Sequence, residues 1–468
     1  MDEASSDPKF DPRDVLTRDN RRLLRQLLHA YLSEALQILT RHREWPRPFT
    51  SPLQLRRTSW TTTEEIHLSD TNKALQTFLR ESGIGDRLHS TGHGWSWHQE
   101  VFADLFVELY ASRAVPLFDK IDGKAFESLF QSAWAEISRN KVHLRQVAAL
   151  TGTPLPKTTL HLQDKTRVLS YDLNSAPYEL SKLLATLSQR DIPTLYPEGS
   201  GILVCQDEIF ERDPEGEAIL RVWDRFDARV LDFVLALRLC SDSTPQLQTI
   251  YTAQLSTFPL FPLTSGSGRD YGKGYTVSWG AWTPSFTRRL NAFMHKISHA
   301  NIRTGELATV VDRFVSAYSF SEQRQNIIDL VVCLESLYDT DSELRYKLAT
   351  RVAALLGRNA EERVKIYNYT YSAYGIRNTL VHGKTKGDVA NRIKPVIHEI
   401  FPRDAESDEP DDMLRSLVGV IRDYVRITLG ARVLHARWPK ENDWPTMVFD
   451  LGSARSWQKS LGLPRART

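Results

Sequence analysis

The sequence predicts a mainly α protein: a mostly helical lobe over 1–155, a mixed α+β region over 156–300, and a helical bundle with a C-terminal tail over 301–468. Three observations carry that reading. Apolar residues recur at i, i+3/i+4 spacing through long stretches near both ends of the chain. Alternating segments and turn-forming residues concentrate in the middle. The chain has 468 residues, 41% apolar and 25% charged, enough for two or three packed domains and far from the composition of a disordered chain.

The elements follow in order. Residues 1 to about 15 are polar and carry two prolines. In NRRLLRQLLHAYLSEALQILTRH, Leu23, Leu24, Leu27, Leu28, Tyr31, Leu32, Leu36, Ile38 and Leu39 largely follow i, i+3/i+4 spacing, and the prolines of REWPRPFTSP end the helix. Further helices are predicted over about 71–81, capped by Ser69 or Asp70, and over 98–112 and 122–139. KTTLHLQDKTRVLSYDL alternates in places, GILVCQDEIF reads as a strand, and 215–240 is a long, well-patterned helix. Residues 256–285 read as an irregular connection with one possible strand, YTVSWGAW. Helices then recur over 304–318, 322–338, 342–356, 360–378, 387–399 and 411–436. Gly357 suits a C′ stop, and RDAESDEPDD reads as a solvated loop.

Composition excludes several function classes. Sixty basic and 58 acidic residues give a net charge of +2, so any case for a polyanionic partner must be local. Three scattered cysteines (Cys205, Cys240, Cys333) form neither a disulfide framework nor a CxxC zinc motif. The opening MDEASSDPKF resembles neither a secretory signal nor a transit peptide, and no apolar run approaches the roughly 18 residues of a membrane span. The expectation is a soluble protein of a reducing compartment, the cytoplasm, without a membrane partner.

The sharpest constellation lies in YSAYGIRNTLVHGKTKG, where Arg377 precedes His382 by five residues and Asn378 follows the arginine. Histidine gives and takes protons near neutral pH, and arginine offers a permanent planar fork for phosphate oxygens. In RNA the 2′-hydroxyl supplies an internal nucleophile, so the pair suits phosphodiester cleavage without a metal or any other cofactor. On a continuous helix the two side chains point about 140° apart. They meet at one point only if the helix ends between them or a two-fold dimer brings two copies together. Between 363 and 394 the basic residues are Arg363, Lys365, Arg377, Lys384, Lys386, Arg392 and Lys394 against Asp388 alone, a local +6. That is the footprint of a polyanion. Tyr367, Tyr369, Tyr371 and Tyr374 lie upstream; some can stack on bases, and at least two are expected in the core.

The blocks IIDLVVCLESLYD (327–339), LRYKLATRVAALLG (344–357) and ERVKIYNYTYSAYGIRNTLVHG (362–383) together resemble the HEPN superfamily, most of all its Apea-like branch. The resemblance covers about 304–436. It implies a helical domain that forms a homodimer with a composite site at the interface, and a metal-independent endoribonuclease of the kind found in anti-phage defence. By position, Arg377 would bind and polarise the scissile phosphate, His382 would act as acid/base or phosphate contact, Asn378 would orient the pair, and Glu335 would steer Arg377. Lys384, Lys386, Arg392 and Tyr374 are the candidate RNA contacts. RNA is the implied partner, and a protein or phage-derived trigger acting through the N-terminal region is a further expectation. The branch that carries a tyrosine two residues after the histidine is not matched, since Lys384 stands there. The alternative is a non-catalytic protein of the same type that binds RNA or nucleotides, or scaffolds.

Other motifs rank lower. TSGSGRDYGKGY lacks the first glycine and the Ser/Thr of a phosphate-binding loop, with Ser267 and Gly274 in those places. His89, His93 and His98 have no matching carboxylate or cysteine pattern. His295 and His299 share a helix face but lack the glutamate of a zinc peptidase. No metal ligand set is assigned.

Overall fold

The computed structural model describes residues 15–41, 65–88, 102–110, 121–151, 160–171, 201–211, 217–241, 246–254, 264–267, 283–299, 302–318, 323–339, 344–382, 391–398 and 410–466, apart from a few positions within those ranges. The protein is mainly α, with one six-stranded antiparallel sheet. The possible strand at 275–282 lies outside the described residues.

The chain opens with α1 (Arg18–Arg41), which buries Leu24, Leu28, Tyr31, Leu32, Ala35 and Leu39 along one stripe. α2 (Asp70–Glu81) starts where Ser69 accepts the Asn72 amide, so Ser69 is the cap. A short α3 (Ile84–Leu88) follows Gly83, whose φ of 70° needs a residue without a Cβ. Residues 102–107 are helical. α4 (Gly123–Ser138) is capped by Asp122, which accepts amides from Lys124 and Ala125 at 2.8 and 3.2 Å. Tyr31, Phe106, Phe126 and Phe130 fill the core of this lobe.

The sheet has strand order β2-β3-β4-β1-β5-β6, built from β1 (Lys141–Thr151), β2 (Leu160–His161), β3 (Arg167–Tyr171), β4 (Gly201–Glu211), β5 (Gln246–Gln254) and β6 (Thr264–Ser267). β1 falls inside the stretch that the sequence assigns to the helical lobe. Its alternation is blurred by the polar Gln146 among its inward positions, and its pairing with β4 from Lys141↔Glu211 to Leu150↔Ile202 sets the conformation instead. Thr264–Ser267, read from sequence as part of a glycine-rich loop, pairs with β5 as an edge strand.

α5 (Glu217–Cys240) crosses this layer. β1 contributes Val142 and Leu144 to the N-terminal core but Ala148 and Leu150 to a second, larger core, and α5 likewise divides between Val222 and Phe226–Leu239. The second core continues through α6 (Pro284–His299), α7 (Ala308–Ser316), α8 (Gln323–Tyr338), α9 (Leu344–Leu356), α10 (Ala360–Val381) and α11 (Pro410–Leu434). Beyond them a 3-10 turn (Glu441–Asp443), α12 (Trp444–Phe449) and α13 (Leu451–Ser460) fold back on the α9–α10 corner. Arg351 donates to the Tyr338 and Asp339 carbonyls and to both Glu441 oxygens, Arg363 donates to the Met447 and Val448 carbonyls, and Gln458 donates to the Leu355 and Gly357 carbonyls. The tail is therefore part of the bundle. Among the described residues no helix is long and apolar enough to cross a membrane.

Candidate functional site

α10 presents the Arg/His motif. Asn359 caps its start by accepting the Glu362 amide at 2.8 Å, and Glu361 and Glu362 sit in the first turn, where carboxylates favour the positive end of the helix. Ile366, Tyr369, Ala373 and Ile376 anchor it in the core. The helix runs unbroken to Val381, and His382 is its C-cap, with φ −81° and ψ 9° and its amide donating to the Asn378 carbonyl at 3.1 Å. The helix thus carries Arg377 to Val381 and stops on the last residue of the motif, His382. Arg377 and His382 therefore diverge by about 140° in one chain.

Arg377 is half-buried. Its Nη1 donates to Asn378 Oδ1 at 2.9 Å, its Nη2 lies 3.8 Å from Glu335 Oε2 on α8, and its guanidinium stands 5.8 Å from the Tyr374 ring. Its Nε is buried with no hydrogen-bond partner among the described residues. Tyr374 is buried beneath the pair. Burial pushes its hydroxyl up, as does the charge of Glu335, against the opposing pull of Arg377. Glu335, Tyr374, Arg377 and Asn378 therefore come together. His382 is exposed, four residues from Asn378 and on the same helical face.

Two of the basic residues of this stretch are engaged by partners within the chain. Arg363 is spent on the carbonyls of Ala354, Met447 and Val448, where burial lowers its pKa, and Lys365 pairs with Glu361 at 2.9 Å. Lys394 is exposed. Lys384, Lys386 and Arg392 lie outside the described residues, as do Gly383, His89, His93 and His98. Of the four tyrosines, Tyr369 and Tyr374 are buried, in keeping with the expectation that at least two pack in the core.

Sequence reasoning passed over two residues on α9. The Arg345 guanidinium lies 3.5 Å from the centroid of Tyr371, and its Nε donates to the Tyr371 carbonyl at 3.0 Å. Tyr346 meets Tyr367 edge-on at 6.2 Å. Neither belongs to a motif; only the antiparallel packing of α9 on α10 brings them here. Among the described residues no group of three or more His, Cys, Asp or Glu side chains has the arrangement to hold a metal ion. Comparison with protein-family models, with curated proteins and with solved structures found no match to this chain.

Proposed function

We propose that this chain is a metal-independent endoribonuclease of the HEPN type, working as a homodimer in which Arg377 of one copy meets His382 of the other. The observation that carries the reading is the geometry of α10: an arginine braced by Glu335 and Asn378 and an exposed histidine at the end of the same helix, turned away from it. Arg377 binds the scissile phosphate and offsets the charge that builds on its oxygens. The 2′-hydroxyl attacks phosphorus and the bond to the 5′-oxygen breaks, leaving a 2′,3′-cyclic phosphate and a 5′-hydroxyl. His382 takes the proton from the attacking hydroxyl or gives one to the leaving oxygen. Asn378 fixes the guanidinium plane, and Lys384, Lys386 and Arg392 hold the RNA backbone. The N-terminal 300 residues keep the site silent until a protein or phage-derived trigger arrives, and the setting is prokaryotic anti-phage defence in the cytoplasm.

The second reading, a non-catalytic protein of the same type that binds RNA or nucleotides or acts as a scaffold, is favoured by one feature: two nitrogens of Arg377 already have partners within its own chain. Cleavage of labelled single-stranded RNA in excess EDTA separates the two. Once trigger-containing infected-cell extract is added, wild type is expected to cut, and Arg377→Ala and His382→Ala each to lose about 100-fold or more in rate. RNA retained but uncut by wild type, with trigger-containing infected-cell extract added, assigns the second reading.

A further inference from the structure

α9 and α10 carry an aromatic ladder at the margin of the core, with Tyr367 packed against it and Tyr346 outside it. The Tyr367 and Tyr371 rings stack 5.6 Å apart at 17°, the Arg345 guanidinium stands 3.5 Å from the Tyr371 centroid, and Tyr346 meets Tyr367 edge-on. Tyr346 is 60% exposed, and Val364, on the same outer stripe of α10, is 59% exposed. Large rings left this open forgo the burial that normally stabilises them.

The position of the ladder points to its occupant. Tyr367, Tyr371, Asn378 and His382 recur at intervals of four, seven and four residues, so they lie within about 60° of one another on one face of α10. From Tyr371 to His382 the helix rises about 16 Å, a span of a few nucleotides. Within that face Arg345 adds a fixed positive charge beside the rings. Stacked tyrosines flanked by an arginine fit unpaired bases and an adjoining phosphate; every base has a π-face, so such a surface tolerates sequence.

We infer that Arg345, Tyr346, Tyr367 and Tyr371 form a stacking platform for unpaired bases of single-stranded RNA, feeding the strand along α10 towards His382. The inference rests on the ribonuclease reading for its direction, but its test does not depend on cleavage. Binding of a fluorescein-labelled single-stranded RNA of about 12 nucleotides, and of the same length as duplex, is measured by anisotropy with the full chain. Tyr346→Ala and Tyr367→Ala are expected to weaken single-strand binding by about 5- to 100-fold each, while Tyr346→Phe and Tyr367→Phe, which keep the ring, stay within about twofold. Thermal unfolding of Tyr346→Ala checks that the bundle is intact. Wild-type single-strand binding from both alanine variants overturns the platform even if wild type cuts RNA, and leaves the ribonuclease reading standing. Tyrosine-dependent binding by a wild type that cuts no RNA keeps the platform and removes the nuclease. No RNA binding by wild type overturns the platform. So does a change in sedimentation of Tyr346→Ala with RNA binding unaltered, which assigns the face to a second copy of the chain.

Discussion

Arg351 and Arg377 sit on neighbouring helices and meet different surroundings. Arg351 is buried, and two backbone carbonyls and a bidentate carboxylate satisfy it while Trp444 lies 5.5 Å from its guanidinium. Its role is to hold the tail on the bundle. Arg377 has one firm hydrogen bond, one loose ion pair and a buried Nε without a partner among the described residues. A buried donor left unmade costs about 1–3 kcal/mol, a cost that Arg351 does not bear. Asp207 gives a residue-scale prediction. Burial pushes its carboxyl up, but hydrogen bonds and charge from Arg145, then the charge of Arg167, outweigh burial and hold it below the ordinary aspartate value. Its folded pKa is depressed, so its contribution is present above the unfolded value and lost as pH falls through the folded one. Urea midpoints measured from pH 6 down to pH 3 are expected to fall less steeply in Asp207→Asn than in wild type. Parallel curves would mean that the two arginines do not stabilise the charged form.

At the scale of elements, the α9–α10 corner shows why a glycine was legible while its reason was not. Gly357 follows α9 as its sequence position suggests, yet the glycines with positive φ among the described residues are Gly83 and Gly462. What excludes a side chain at 357 is close approach: a Cβ there would stand 2.6 Å from Arg363 Cγ and 2.9 Å from both Arg363 Cα and the Ala353 carbonyl oxygen. Two of those atoms are backbone and cannot swing aside. Gly357→Ala is therefore expected to lose about 1–3 kcal/mol in chemical denaturation, although alanine has the higher helix propensity. A neutral or stabilising result would show that the corner relaxes. The helix starts and stops of α2, α4, α8 and α9 fall within two residues of the sequence reading, because caps and apolar spacing are local signals. β1 and β5 were not legible, since their pairing partners lie far along the chain.

At the scale of the molecule, β1 and α5 belong to two cores at once, so the N-terminal lobe and the bundle share elements. α5 is tied to α7 by Arg238, fully buried against the Val315 carbonyl and the Tyr318 ring, and to α11 by Arg426, which donates to the Leu239 carbonyl at 3.4 Å. The proposed division of the site between two copies makes its own prediction. If Arg377 of one copy works with His382 of the other, a heterodimer of Arg377→Ala and His382→Ala retains one intact site. Equimolar mixing after subunit exchange is expected to restore about a quarter of wild-type cleavage, since half the dimers are mixed and each carries one good site of two. Two inactive variants that stay inactive when mixed would exclude a site divided in this way.

The sequence by itself determined the mainly α class, the helix boundaries near their caps, the Arg377–Asn378–His382 grouping and the 140° divergence that a continuous helix imposes. All of these follow from spacing along one chain, which the period of the helix converts directly into direction. Only the tertiary structure decided that Arg363 and Lys365 are engaged by internal partners, and that Arg345 and Tyr346 complete a ladder with Tyr367 and Tyr371. Those facts depend on which helix packs on which, and at what register. That is set by the burial of many apolar side chains at once, and no short stretch of sequence contains it.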